Sequence, residues 1–74
     1  MTVEEVVART FGMPARTVSD ATSNENTDAW DSMGHMTLIA ELETAFGGSF
    51  SAEEVLTMTS VAAIKRTLGH RGGA

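Results

Sequence analysis

The chain has 74 residues, of which 42% are hydrophobic, carries a net charge of −5 and contains no cysteine. That is one small domain with no room for a second core, no disulfide or thiolate metal site, and too much apolar content for disorder by composition. No apolar run approaches the roughly 20 residues of a membrane span, and the opening Met-Thr-Val-Glu-Glu is acidic where a targeting segment would be basic. The cytoplasm is the expected compartment and no membrane partner is expected. Lys and Arg occur only as Arg9, Arg16, Lys65, Arg66 and Arg71, while Asp20, Glu25, Asp28, Asp31, Glu41, Glu43, Glu53 and Glu54 fill the stretch between them. Nucleic acid is not expected as a partner, because its affinity rests on neutralised phosphates. A basic protein surface is the better complement, although acidity also serves plain solubility.

Thr2 and Glu5 have the spacing of a capping box, and Val3, Val6, Val7 and Phe11 follow at helical intervals until Gly12 and Pro14. This predicts a short first helix. Residues 13–30 are rich in Thr, Ser, Asn and Asp, with Val18 and Trp30 as the large apolar anchors, so they suit a long crossover rather than a hairpin turn. A second helix over 33–46 carries Met36, Leu38, Ile39, Leu42 and Phe46, and Gly47-Gly48 stops it. Ser51 and Glu54 form another capping box ahead of a short turn of helix through Val55 and Leu56. Thr59 or Ser60 caps a last helix bearing Val61, Ile64 and Leu68, with Gly69 as its end. No strand pattern of useful length and no internal repeat is present. The expected fold is all-α, a bundle of three main helices plus one short one. The domain is expected over 1–69 with a frayed tail at 70–74, and Met1 with the Gly-rich tail reads as a complete small protein. A core of this size supplies only about 3–5 kcal/mol net. So small a bundle leaves no room for an active-site cleft, which argues against a free-standing enzyme.

At about 100° per residue, Leu38, Ile39, Leu42 and Phe46 share one arc of the second helix, the natural core face. Met33 points to the opposite side, with Ala40 near it and Met36 on the border. An exposed methionine is adaptable and polarizable, a good contact for several partners in turn, and Glu41 and Glu43 flank it. Immediately before stand Asp31 and Ser32. A hydroxyl in the first turn of a helix is a place where a phosphate can be attached and held, because the backbone N–H groups there are unpaired and the dipole favours negative charge. Serine is equally a common N-cap, and the tripeptide alone does not separate the two roles. Hydrolase chemistry lacks its signature: there is no Gly-x-Ser-x-Gly elbow, and the histidines are His35 and His70. His35 falls on the core side, where it packs or hydrogen-bonds under the loop. Scattered carboxylates and two distant histidines give no metal spacing.

Trp30-Asp31-Ser32-Met33-Gly34-His35-Met36, continued by Leu38-Ile39-Ala40-Glu41-Leu42-Glu43-Thr44-Ala45-Phe46-Gly47, resembles the acyl carrier proteins, whose pattern is Asp-Ser-Leu followed by a helix ending in Leu-Glu-x-x-Phe-Gly. Phe50-Ser51-Ala52-Glu53-Glu54-Val55 and Thr59-Ser60-Val61-Ala62-Ala63-Ile64 resemble that family's third and fourth helices, so the likeness covers nearly the whole chain. It implies a four-helix bundle with 4′-phosphopantetheine esterified to Ser32 Oγ between Asp31 and Met33, installed from coenzyme A by a phosphopantetheinyl transferase. Acyl or aminoacyl cargo would ride on the arm's terminal thiol as a thioester. The chain would act as a monomeric carrier without catalytic activity of its own. Acyl-loading, condensing or tailoring enzymes would dock on a face made of Met33, Met36, Thr37, Ala40, Glu41, Glu43 and Thr44. Such docking should be weak and charge-guided, since a carrier visits several enzymes.

Three departures refine the likeness. Met33 stands in place of the usual Leu, a volume-conserving change. Gly34, Thr37 and Thr44 occupy positions where carriers of fatty-acid synthesis often bear acids, and Trp30 replaces a small residue. The chain therefore looks like a discrete acyl carrier of secondary metabolism, of polyketide or a related type. A peptidyl or aminoacyl carrier of a nonribosomal pathway is the alternative within the class. An unmodified helical adaptor, with Ser32 as a mere N-cap, is the alternative outside it. Gly34 costs its helix up to about 1 kcal/mol relative to Ala, which suggests close approach of the arm or of a partner.

Overall fold

The structure, a computed structural model, describes residues 1–70. Within them the chain forms α1 (Val3–Phe11), α2 (Ser32–Phe46), α3 (Ala52–Thr57) and α4 (Val61–His70), with a single 3-10 turn at Ala15–Thr17 inside the long first connection. The Thr2/Glu5 capping box forms as its spacing requires, and α1 closes on Gly12 at φ +65°, a left-handed backbone that glycine adopts without a Cβ penalty. The Ser51/Glu54 box forms as well and opens α3. Ser60 caps α4, its Oγ accepting from the Ala63 amide at 3.1 Å.

The core joins Val3, Val6, Val7 and Ala8 of α1, Leu38, Ile39 and Leu42 of α2, and Val61, Ile64 and Leu68 of α4, with Met58 from the short connection before α4. Each of the helical residues is a position on the apolar stripe of its helix, and the Val, Leu, Ile and Met side chains contribute about 1.5–3 kcal/mol each when buried. Nothing in α3 is fully buried: Val55 leans on the core and Leu56 is exposed.

Both apolar anchors of the long loop reach the core, Val18 and Trp30. The rest of that loop is held by polar contacts to the start of α4. Ser23 and Ser60 form an isolated antiparallel bridge, Asn24 N donates to the Thr59 carbonyl at 3.0 Å, and Val61 N donates to the Thr22 carbonyl at 2.9 Å. Lys65 adds a charged tie, its Nζ lying 2.6 Å from Glu4 Oε2 and 2.7 Å from Asp20 Oδ1, which links α1, the loop and α4.

Four local expectations change. The helical angle of Phe46 puts it on the core face, yet it is 37% exposed: it is the last residue of α2 and lines an open apolar groove with Val3, Lys65, Leu68 and Gly69. α2 begins at Ser32 rather than at 33, and Asp31 is its N-cap. Gly69 does not end α4, which continues to His70; the rest of the expected tail at 70–74 lies outside the described residues. Finally, what approaches Gly34 is neither arm nor partner but the protein itself. A Cβ there would run into the backbone carbonyl of Ala29 and would sit 3.0 Å from the Phe11 ring.

Two outcomes follow from this packing. Helix propensity alone predicts that Gly34→Ala stabilises by up to about 1 kcal/mol. The Ala29 carbonyl predicts the opposite sign, a loss of about 1–3 kcal/mol in denaturant unfolding as the loop is pushed off α2. The second outcome concerns pH. The hydrogen bond from Lys65 holds the Glu4 carboxyl below its ordinary value of 4.5, and the bonds to Asp20 and Glu4 raise Lys65 above 10.5. A lowered carboxyl stabilises fully above its ordinary value and loses that contribution as pH falls through the folded value; a raised ammonium does so as pH climbs through its own. The gap between the unfolding midpoints of the parent and Lys65→Met should therefore be widest at neutral pH and shrink below pH 4.5 as Glu4 takes up its proton, leaving the contact to Asp20.

Candidate functional site

The first turn of α2 is built by Asp31. Its backbone is extended, at φ −90° and ψ −169°, and its Oδ1 accepts from the Gly34 amide at 2.8 Å, while its carbonyl accepts from His35 N at 2.7 Å. Side-chain capping is thus complete without Ser32. The Ser32 hydroxyl is exposed and makes no hydrogen bond among the described residues, and the amides of Ser32 and Met33 have no partner there either. An exposed hydroxyl with no structural task lies beside two free N–H groups at the positive end of a fifteen-residue helix. That arrangement fits a phosphodiester: the oxygen is accessible, and the free amides face the charge that would be attached.

Trp30 and His35 anchor this turn from below. Trp30 is 2% exposed, its ring centroid 5.3 Å from that of Phe11 and 6.3 Å from that of His35. The indole nitrogen can only donate, so the Trp30 Nε1–H···Nδ1 bond to His35, 2.9 Å long, places the imidazole proton on Nε2. Nε2 in turn donates to the Val55 carbonyl at 2.7 Å. One relay therefore joins the loop, α2 and α3 around the serine. His35 packs under the loop as its helical position predicts, and both its nitrogens are committed.

The residues read from the sequence as a docking face divide into two groups. Met33, Met36, Thr37, Ala40 and Thr44 are all exposed on one side of α2, Met33 at 83% and Met36 at 58%. The hydroxyls of Thr37 and Thr44 turn back onto the helix carbonyls of Met33 and Ala40 at 3.1 and 3.0 Å, so the surface they present is largely methyl and methylene. Glu41 and Glu43 flank this strip but are engaged within the molecule. Glu41 lies 3.6 Å from Arg9, and Glu43 Oε2 accepts from Phe50 N at 2.8 Å.

A pocket of about 340 Å³ opens beside Ser32, lined by Asn24, Trp30, Asp31, His35 and Thr59 as well. Sequence reasoning missed Asn24 and Thr59. They are 35 positions apart in the chain, and only the Ser23–Ser60 bridge brings them together, a pairing with no sequence period to announce it. Among the described residues no cluster of His, Cys, Asp and Glu could hold a metal ion, and no helix is long and apolar enough to cross a membrane.

The chain matches no curated protein at a significant level. The family model described as the phosphopantetheine attachment site matches residues 2–68, the whole bundle from the first capping box to the last buried leucine. Four helices in this order around an exposed serine at the start of α2 agree with that match. The chain belongs to the phosphopantetheine-attachment family, and is a small helical carrier that takes 4′-phosphopantetheine covalently.

Proposed function

We propose that Ser32 Oγ is the attachment point and that the chain carries acyl intermediates of polyketide or related secondary metabolism in the cytoplasm as a carrier without catalytic activity. The observation that carries the reading is the division of labour at the helix start: Asp31 caps α2 and leaves the Ser32 hydroxyl exposed and unbonded. In the loading reaction the Ser32 oxygen forms a bond to the coenzyme A phosphorus that bears pantetheine. The pyrophosphate bond breaks, adenosine 3′,5′-bisphosphate leaves, and the hydroxyl proton passes to a base of the transferase. Once bound, the arm's terminal thiol holds the cargo as a thioester. The chain's own part is to present the hydroxyl, keep the helix start rigid and offer a docking strip.

That strip supports the pathway reading. Its exposed centre is Met33, Met36 and Ala40, and its two acids are already paired, so partners meet an apolar ridge rather than a dense acidic one. Exposed pairs such as Arg9–Glu41 are worth about 0–1 kcal/mol, so a basic partner could still draw Glu41 away. A peptidyl or aminoacyl carrier would use the same serine and ridge; the identity of the enzyme that acylates the loaded chain separates the two. The proposed domain covers 1–69.

Intact mass after incubation with coenzyme A and a broad-specificity phosphopantetheinyl transferase should show one phosphopantetheine on the parent and none on Ser32→Ala. Because Asp31 holds the cap, Ser32→Ala should change unfolding stability by less than about 0.5 kcal/mol, whereas Asp31→Ala should cost about 1 kcal/mol. A folded parent that accepts no arm would leave the unmodified adaptor as the better reading.

A further inference from the structure

The pocket beside Ser32 has a composition that selects what can lie in it. Its lining includes Trp30 and His35, whose ring nitrogens are committed to each other and to the Val55 carbonyl, so neither offers the pocket a polar nitrogen; Trp30 is only 2% exposed, and the accessible ring surface is chiefly that of His35. Besides Asp31 and the Ser32 hydroxyl, its polar groups are the Asn24 carboxamide and the Thr59 hydroxyl, which have no partner among the described residues. Those two backbones are held in place by the 3.0 Å bond from Asn24 N to the Thr59 carbonyl, so the side chains stand on a fixed frame. The one charge on the rim is Asp31, and neither Lys nor Arg lines the pocket. The pocket thus offers no cation to draw a phosphate inward. A neutral group with a methyl-rich body and an amide or hydroxyl is matched, in a volume at the lower end of the roughly 300–1,000 Å³ usual for ligand sites.

Resting on the assignment of Ser32 as the attachment point, the geometry points to this pocket as the resting site of the pantoyl segment of the arm. That segment follows the phosphodiester directly, so it is the part of the arm tethered closest to the pocket. Its geminal methyls would lie against His35, beside the buried Trp30, and its hydroxyl and first amide would exchange hydrogen bonds with Asn24 and Thr59. The phosphodiester stays outside, toward the free amides of Ser32 and Met33 and away from the Asp31 carboxylate. Tethering sets an effective concentration in the millimolar range for short flexible links, so contacts too weak to bind free pantetheine suffice to seat an attached one. The arm beyond the first amide, thiol included, remains outside the pocket and free to enter a partner.

The test is NMR on the full chain loaded from coenzyme A labelled with ¹³C in the pantoyl methyls, with loading read by mass on the same sample. The single tryptophan gives one indole N–H resonance, so the site has its own reporter. Nuclear Overhauser contacts from the labelled methyls to the Trp30 ring and the Thr59 methyl, and a shift of the indole resonance on loading, are expected. In a loaded Asn24→Ala/Thr59→Ser variant the contacts to the Trp30 ring should weaken, and in loaded Asn24→Ala/Thr59→Val they should vanish while the amide spectrum stays folded. Methyls at free coenzyme A shifts without contacts in a loaded parent overturn the assignment, as do contacts to Leu56 or Met36 in place of Trp30. Contacts unchanged in the Asn24→Ala/Thr59→Val variant overturn the role of the two polar groups. A parent that takes no arm at all overturns the Ser32 reading, and the pocket assignment with it.

Discussion

Trp30 joins a polar loop to an apolar bundle, and the geometry around Ser32 depends on that joint. The loop from 13 to 29 brings few large side chains of its own to the core, so it needs an anchor at each end. Val18 serves near the entry and Trp30 at the exit. A buried indole carries a donor that must be paired, or its burial costs about 1–3 kcal/mol. His35 accepts it, and the same imidazole then has one donor left, which Val55 takes. Burying one ring thereby dictates the orientation of a second and ties down the short α3, which buries no residue completely.

Because Trp30 immediately precedes Asp31, fixing the ring also fixes where α2 begins. The chain enters that helix so tightly that the Ala29 carbonyl occupies the space a side chain would need at position 34, and a glycine stands there in the first turn. A residue that looks unfavourable by helix propensity is thus required by the approach of the loop. The tight entry places the Asp31 carboxylate on the Gly34 amide and leaves Ser32 with nothing to support. Structural load is carried on either side of the serine, which suits a residue proposed to be modified. A hydroxyl engaged in capping would have to give up its bond on modification.

Charge plays a smaller part in this chain than its net −5 suggests. Glu4, Asp20, Glu41 and Glu43 each have partners within the fold, so the exposed centre of α2 is methionine and alanine. A flexible apolar ridge re-packs against different partner surfaces at little cost, because methionine has many accessible rotamers. That property agrees with a carrier role more closely than a fixed array of charges would.

Local physics accounts for what was legible in the sequence. Both capping boxes, the glycine after α1, the apolar stripes of α1, α2 and α4, and the exposure of Met33 follow from spacing at a period of 3.6. So does the inward position of His35, and the likeness around Asp31-Ser32-Met33 pointed to the family. Tertiary structure alone decided the remainder. That Asp31 and not Ser32 caps the helix depends on how Trp30 is seated. Phe46 has a core angle yet, as the last residue of α2, borders an open groove with Val3 and Leu68, and what covers the end of a helix is not contained in its own periodicity. The space at Gly34 is filled by a carbonyl whose path follows from burial of a ring one residue later. Asn24 and Thr59 meet through a bridge between two irregular segments, where long-range hydrogen bonding leaves no pattern in the chain. Periodicity reports which face of an element is buried; only the assembled packing reports which backbone atoms from elsewhere arrive beside it.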